Sequence, residues 1–345
     1  MLPDQVRKLL ILVARLEPSV RAAFILAIGK AAAAVNQTDL QAALTAGDID
    51  RAVAILTIDD KALFPLTEAL RNSYLAGMQH GSETVPVSLR AQFGFGGNPR
   101  AVEAVKALVT KITGEITQST VDATRALITT AVNEGVPVAQ TSLAIVGRKN
   151  PVTGIREGGY LGLDGPRTQQ AERVAAMLRD PEKIKDYFNG KTARYTTTDR
   201  RFDARVRKAI AAGRGLTAAE AEPITTAHRA RLLKNRGLTI ARTETLTAAR
   251  AGEMDGFRAL VESGAVAEGR VYRTWLSTSD GRTRPDHVLM NGQEVQGMSQ
   301  PFTFPDGTQA MFPGDPSLFA SPAELIQCRC VQIINVRRPN GNQRA

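Results

Sequence analysis

Apolar side chains recur along the first 81 residues at the spacing of a helix. Val6, Leu9, Leu10, Val13 and Leu16 fall at i, i+3, i+4, i+7 and i+10, a single stripe on one helical face. Asp4 is placed to cap that helix, Thr38–Asp39 a short second one, and Asp59–Asp60 a longer one ending at Gly81. Residues 82–98 break the pattern with Pro86 and a Gly-Phe-Gly-Gly run, with Pro99 directly after, which predicts a linker. Helical stripes return over residues 99–264: Val102, Val105, Leu108, Val109 and Ile112, then Ile116, Val121, Leu127, Ile128 and Val132. A Gly-rich insert at 148–166 reads as irregular. Thr217-Ala-Ala-Glu220 has the form of a capping box. Pro223 predicts a short turn there, with the main helix running from about Thr239 to Ser263.

After Gly264 the texture changes. Val271–Trp275 and Val331–Val336 alternate or run apolar as strands do, and the intervening chain is punctuated by Gly and Pro. The expected architecture is α+β. A mainly helical body (1–81 and 99–264) precedes a small, loop-rich, β-containing module (265–337), with a disordered tail at 338–345. The module's own apolar core would be thin, and modules of that size often need a staple or a partner surface.

Composition supports the helical reading. Aromatics are 5% of the 345 residues and Ala is abundant, which favours helices packed through small side chains. The first apolar runs are interrupted by Arg7, Lys8, Arg15 and Lys30, so no signal peptide and no membrane span are expected. The net charge is +10. Eleven Lys/Arg stand against four acids between Arg201 and Arg250, so most of the excess lies there. Arg201, Arg205 and Lys208 share one helical face, and Arg231, Lys234 and Arg236 crowd another. These six are the candidate contacts to DNA phosphates, which would be sequence-independent. A solvated helix face and a dock for an acidic protein are the open alternatives, since Phe202 alone among aromatic residues lies within the cationic stretch.

The module also holds the candidate chemistry. Cys328 and Cys330 are too close in sequence for an ordinary disulfide and suit a reducing compartment. In a strand, residues i and i+2 face the same way, so both sulfurs can aim at one point. His287 is the module's single histidine, and Asp280 precedes it by seven residues. Two thiolates, an imidazole and a carboxylate suit a structural zinc ion. The alternative is a pair of small buried cysteines with His287 and Asp280 hydrogen-bonded to each other or to backbone. Trp275 reads as a core anchor, His80 as a surface or packing residue, and His228 as exposed and without a catalytic role.

Signatures of catalysis are sparse. Arg273 and Ser277-Thr278-Ser279 are in the style of ADP-ribosyltransferases, yet neither Glu294 nor Glu324 forms the later Glu/Gln-x-Glu pair. There is no H-E-x-x-H and no G-x-S-x-G. The chain is therefore expected not to be an enzyme, with an ADP-ribosyltransferase-like or other toxin enzyme as the contrasting class.

Three pieces occur in order: Ile240-Ala-Arg242-Thr243-Glu244-Thr245; Trp275, Asp280, Arg282, Arg284 and His287 in the spacing W-x(4)-D-x-R-x-R-x-x-H; and Pro313-Gly-Asp-Pro316 followed by Cys328-Arg329-Cys330. Together they resemble the phage head morphogenesis family, the minor head proteins similar to the F protein of phage Mu. The resemblance covers about residues 238–336. It implies a structural virion component, a minor capsid protein made in the host cytoplasm and held inside the head near the portal, where it assists assembly and DNA packaging. Portal, major capsid or scaffold protein and genomic DNA would be its partners. A DNA-ejection protein released with the genome is the alternative within this class. For the motif side chains, buried ion pairs among Arg242, Glu244, Arg282 and Arg284, linking helix to module, stand against ordinary surface charges.

Overall fold

A computed structural model describes residues 3–93, 99–152, 154–188, 199–278, 280–318 and 321–338. The fold is α+β and mainly helical. The helices are α1 (Asp4–Ala34), α2 (Gln37–Thr45), α3 (Ile49–Ile55), α4 (Asp60–Glu83), α5 (Val87–Arg90), α6 (Pro99–Asn133), α7 (Val138–Val146), α8 (Gly165–Arg179), α9 (Arg200–Ala211), α10 (Ala218–Glu262), α11 (Pro285–Leu289) and α12 (Pro322–Leu325). The strands are β1 (Arg148–Lys149), β2 (Arg156–Glu157), β3 (Val271–Leu276), β4 (Glu294–Gln296), β5 (Phe302–Thr303), β6 (Gln309–Ala310) and β7 (Val331–Val336). The expected linker carries α5, and its residues 94–98 lie outside the described residues, as does the expected tail from 339 onward.

Local capping follows the sequence with some shifts. Asn36, not Thr38–Asp39, caps α2 by accepting from Thr38 and Asp39 N–H, while Asp59 accepts from Ala62 N–H at 2.8 Å at the start of α4. The capping box is present: Glu220 N–H donates to Thr217 Oγ1 at 3.3 Å, and Thr217 N–H donates to Glu220 Oε2 at 2.9 Å. It opens one helix of 45 residues, α10, rather than a short turn. Pro223 removes a single backbone bond from the second turn. Burial of Ala221, Ile224, Thr225 and His228 on the inner side outweighs that loss.

The chain divides into two compact units, each discontinuous in sequence. One comprises residues 24–65 and 113–237. Its cores gather Val174, Leu178, Tyr187, Val206 and Ile224 in one cluster and Tyr160, Leu163, Ala171 and Leu232 in another. Buried arginines of α10 hold the Gly-rich stretch in place. Arg229 Nε donates to Gly158 O at 2.6 Å. Arg236 donates to Gly162 O at 2.6 Å, Ser119 Oγ at 2.7 Å, Thr120 Oγ1 at 2.9 Å and Ile116 O at 3.2 Å. Arg236, 4% exposed, is thereby removed from the DNA-contact candidates: its guanidinium is consumed inside the fold.

His228 also departs from expectation, being 1% exposed rather than solvated. Neither ring nitrogen has a hydrogen-bond partner among the described residues. Burial, then the charges of Arg231 and Arg229, push its pKa down to about 4 from the ordinary 6.5. The folded state thus binds fewer protons than the unfolded state between those two values, so stability falls as pH drops through that window. Chemical denaturation at about pH 7 and about pH 4.5 should show wild type losing roughly 2–3 kcal/mol more than His228→Leu. Equal losses in both proteins would show that His228 does not titrate in this way.

The other unit comprises residues 1–23, 66–112 and 238–345. Val6, Leu9 and Val13 of α1 pack against Leu246 and Ala249 of α10 and Val331 of β7. β3 is the middle strand of an antiparallel sheet, β4-β3-β7, with Trp275 opposite Gln332 and Arg273 opposite both Val295 and Ile334. Alternate β3 residues Val271, Arg273 and Trp275 are fully buried. β5 and β6 form a separate two-stranded ladder. No helix among the described residues is long and apolar enough to cross a membrane.

Candidate metal centre

One face of α10 docks the module. Thr239, Thr243, Thr247 and Arg250 recur at i, i+4, i+8 and i+11 and so share that face. Gln327 N–H donates to Thr243 Oγ1 at 3.0 Å, and Gln327 Nε2 donates to Thr239 Oγ1 at 3.3 Å. Thr247 Oγ1 donates to Gly314 O at 3.2 Å and Arg250 Nη1 to Pro313 O at 2.6 Å. Gly314 has φ of +81°, and a Cβ there would lie 2.8 Å from Arg250 Nη1, so both conformation and space call for glycine. Asp315, 1% exposed, accepts from Met311 and Ser317 N–H at 2.8 Å each. The Pro-Gly-Asp-Pro motif is thus a turn held by its own carboxylate and gripped by the helix.

Among the described residues, the arginines expected to pair with Glu244 across helix and module take other positions. Arg242 is exposed, and Arg282, 81% exposed, reaches only Asp280, at 3.9 Å. Arg284 Nη2 donates to Ile326 O at 2.6 Å. Glu244 is half-buried. Thr243, from the motif on α10, joins helix to module through Gln327 N–H.

The cysteines, the histidine and Asp280 separate into two groups. Cys328 and Cys330 lie just before β7 rather than within it, both buried. His287, on the short helix α11, brings Nδ1 to 3.2 Å from Cys330 Sγ and 3.6 Å from Cys328 Sγ. These three ligand atoms lie within 4.8 Å of one another, so they can hold a metal ion. Asp280 does not join them. Its carboxylate takes both arms of Arg329 at 2.5 Å each, and that pairing holds it well below the usual carboxylate range. Since Arg329 sits between the cysteines, Asp280 anchors the Cys-Arg-Cys segment from outside.

Glu324 takes the place the sequence reading gave to Asp280, with a different role. Its Oε2 lies 2.6 Å from His287 Nε2, the nitrogen facing away from the sulfurs. The signal that could have found it is position: it falls four residues before Cys328, close enough for one turn to return it to the site.

Trp275 is the expected core anchor. Its ring meets those of His287, Phe302 and Phe304 edge-on at centroid distances of 5.9, 5.4 and 5.5 Å. The imidazole is therefore walled by aromatic carbon. Burial lowers the His287 pKa, but hydrogen bonds with Cys328 and Glu324 outweigh it and the net shift is upward. The Cys330 hydrogen bond, then His287 and the Arg250 charge, hold the Cys328 thiol well below its ordinary range against burial, while Cys330 is pushed up.

Two buried arginines complete the surroundings. Arg250 is 1% exposed and donates Nη1 to Pro313 O. Both cysteines are among its electrostatic partners. Arg273 is fully buried beneath the loops. It donates Nε to Gly297 O at 2.8 Å and its two Nη groups to Met311 O and Gln300 O, with its guanidinium 5.2 Å from the Phe302 ring centre. Burial pushes its pKa down to about 10. Sequence reasoning weighed Arg273 only as a catalytic element.

The family described as Phage Mu protein F like protein matches residues 200–333. Over this Mu F-like region the chain is similar to that family. The match takes in α9, α10, the docking face and every residue of the candidate centre. It agrees with the family resemblance that the sequence motifs carry. No curated protein and no solved structure matches the chain.

The remaining DNA-contact candidates stand on α9 and α10 of the Mu F-like region. Arg201 pairs with Asp199 at 2.6 Å, and Arg205 Nη1 donates to Glu220 O at 3.1 Å. Lys208 and Lys234 are exposed, whereas Arg231 is half-buried with Asp199 at 4.0 Å.

Proposed function

We propose that this chain is a structural minor head protein of a phage, held near the portal, where it assists head assembly and DNA packaging. The observation that carries the reading is the match over residues 200–333. It coincides with a module whose polar motif side chains are spent on internal bonds: Thr243 on Gln327, Asp280 on Arg329, Arg273 on three carbonyls and Asp315 on its own turn. Groups committed in this way hold a shape. An enzyme would instead present such groups to a substrate. The exposed cations Arg205, Lys208 and Lys234 suit a position beside packaged DNA.

The test is to purify portal-containing procapsids, filled virions and DNA-emptied virions and quantify this chain in each by mass spectrometry. A fixed head component is expected in all three, at a few copies, and should co-purify with the portal. Absence from procapsids and virions alike would sink the proposal. Presence in filled particles with loss on emptying would favour the ejection role instead.

A further inference from the structure

We propose that Cys328 Sγ, Cys330 Sγ and His287 Nδ1 bind one zinc ion, with Glu324 fixing the imidazole from behind and water completing the coordination. In a tetrahedral site with ordinary zinc–sulfur and zinc–nitrogen bonds, a sulfur and a nitrogen ligand are about 3.6 Å apart. The two distances here, 3.2 and 3.6 Å, match that edge. Two thiolates and an imidazole are the donor set that zinc favours. Iron–sulfur centres typically draw on four thiolates, and calcium and magnesium require oxygen.

Three further features point the same way. The Glu324 carboxylate on the far nitrogen reproduces the outer contact that orients metal-bound histidines and sets which nitrogen faces the metal. The ligands come from two segments, α11 and the approach to β7, that are 41 residues or more apart. A shared ion would cross-link them beside a core cluster that, among the described residues, has eight buried members including both cysteines. Finally, Arg250 lies buried with Nη1 on Pro313 O and with both cysteines among its electrostatic partners. Metal-bound thiolates give that guanidinium the anionic neighbours a buried cation needs.

The inference is independent of the head role, because it is read on the isolated full-length chain rather than on particles. The chain is purified under reducing conditions without chelator, and its metals are measured by elemental analysis. About one equivalent of zinc is expected. Cys328→Ser, Cys330→Ser and His287→Gln should each fall below about a tenth of an equivalent. Asp280→Asn should keep about one, since Asp280 holds Arg329 and not the ion. Glu324→Gln should still fill but yield its zinc to a competing chelator about 10–100-fold more readily. Because a ligand variant can fail by misfolding, the wild-type chain is also loaded with cobalt, which should show thiolate-to-cobalt charge transfer and tetrahedral d–d absorption. Wild type with less than about a tenth of an equivalent of zinc and no such bands would overturn the site. So would a Cys328→Ser/Cys330→Ser double variant that retains a full equivalent.

Discussion

Alanine at Gly252 is expected to destabilise the protein by more than about 3 kcal/mol, and valine there to prevent the unit that carries the candidate centre from folding. Gly77 and Gly252 stand where α4 and α10 cross. A Cβ at Gly252 would lie 1.9 Å from Tyr74 O, and one at Gly77 would lie 1.8 Å from Ala249 O. Both obstacles are backbone, so no side chain can turn aside and the helices must separate by more than an ångström. Separation would strip contacts from Tyr74, Met78, Met254 and Phe257, all buried, and would break the bond from Tyr74 Oη to Asp255 at 2.6 Å. The sign of the effect is diagnostic. Mid-helix glycine is worse than alanine by about 1 kcal/mol, so a glycine without such a neighbour would gain stability on this exchange. Gly252→Ala and Gly77→Ala measured by urea denaturation decide it, and a gain in either would refute the close approach.

The second large effect concerns Arg273. Arg273→Met keeps most of the apolar volume but leaves the carbonyls of Gly297, Gln300 and Met311 without their donor. The bond to Gly297 O is buried and those to Met311 O and Gln300 O are part-buried. A buried carbonyl left unpaired costs about 1–3 kcal/mol, so a total loss of about 3 kcal/mol is expected. Arg273→Lys should recover only part of that, because one ammonium cannot reach three carbonyls that a planar fork spans. The measurement is denaturation joined to hydrogen exchange, which should show faster exchange across residues 296–312 first. A loss below about 1 kcal/mol in Arg273→Met would mean that solvent serves those carbonyls as well as the guanidinium does. A catalytic arginine would behave differently, since its removal would leave stability unchanged.

These two residues illustrate what a one-dimensional reading misses. Gly252 and Arg273 carry no local signal, because the atoms that give them meaning come from residues 24 to 178 positions away. His228 and Arg236 fail for a related reason. Both sit in the most cationic stretch of the chain, where charge predicts solvent, and both are buried. Only packing on α10 reveals that Gly162, Ser119 and Thr120 wait for Arg236. Pro223 misled in the opposite direction, since a local breaker was overruled by burial of the residues around it. All three sulfur and nitrogen donors of the candidate centre were legible, and Glu324 was not. Cys328, Cys330 and His287 are scarce residue types, and chemistry alone grouped them. Asp280 was grouped with them wrongly, because spacing along the chain cannot tell a carboxylate that meets His287 from one that meets Arg329.

What the amino-acid order determined by itself was therefore whatever depends on neighbours within a few positions: the helical stripes, the capping box at Thr217–Glu220, the change of texture after Gly264, and the rare side chains able to bind a metal. Which carboxylate backs the imidazole, which threonine joins helix to module and which arginine is buried were decided only in three dimensions. Those choices depend on distances between segments far apart in the chain, and a hydrogen bond discriminates among them at a few tenths of an ångström.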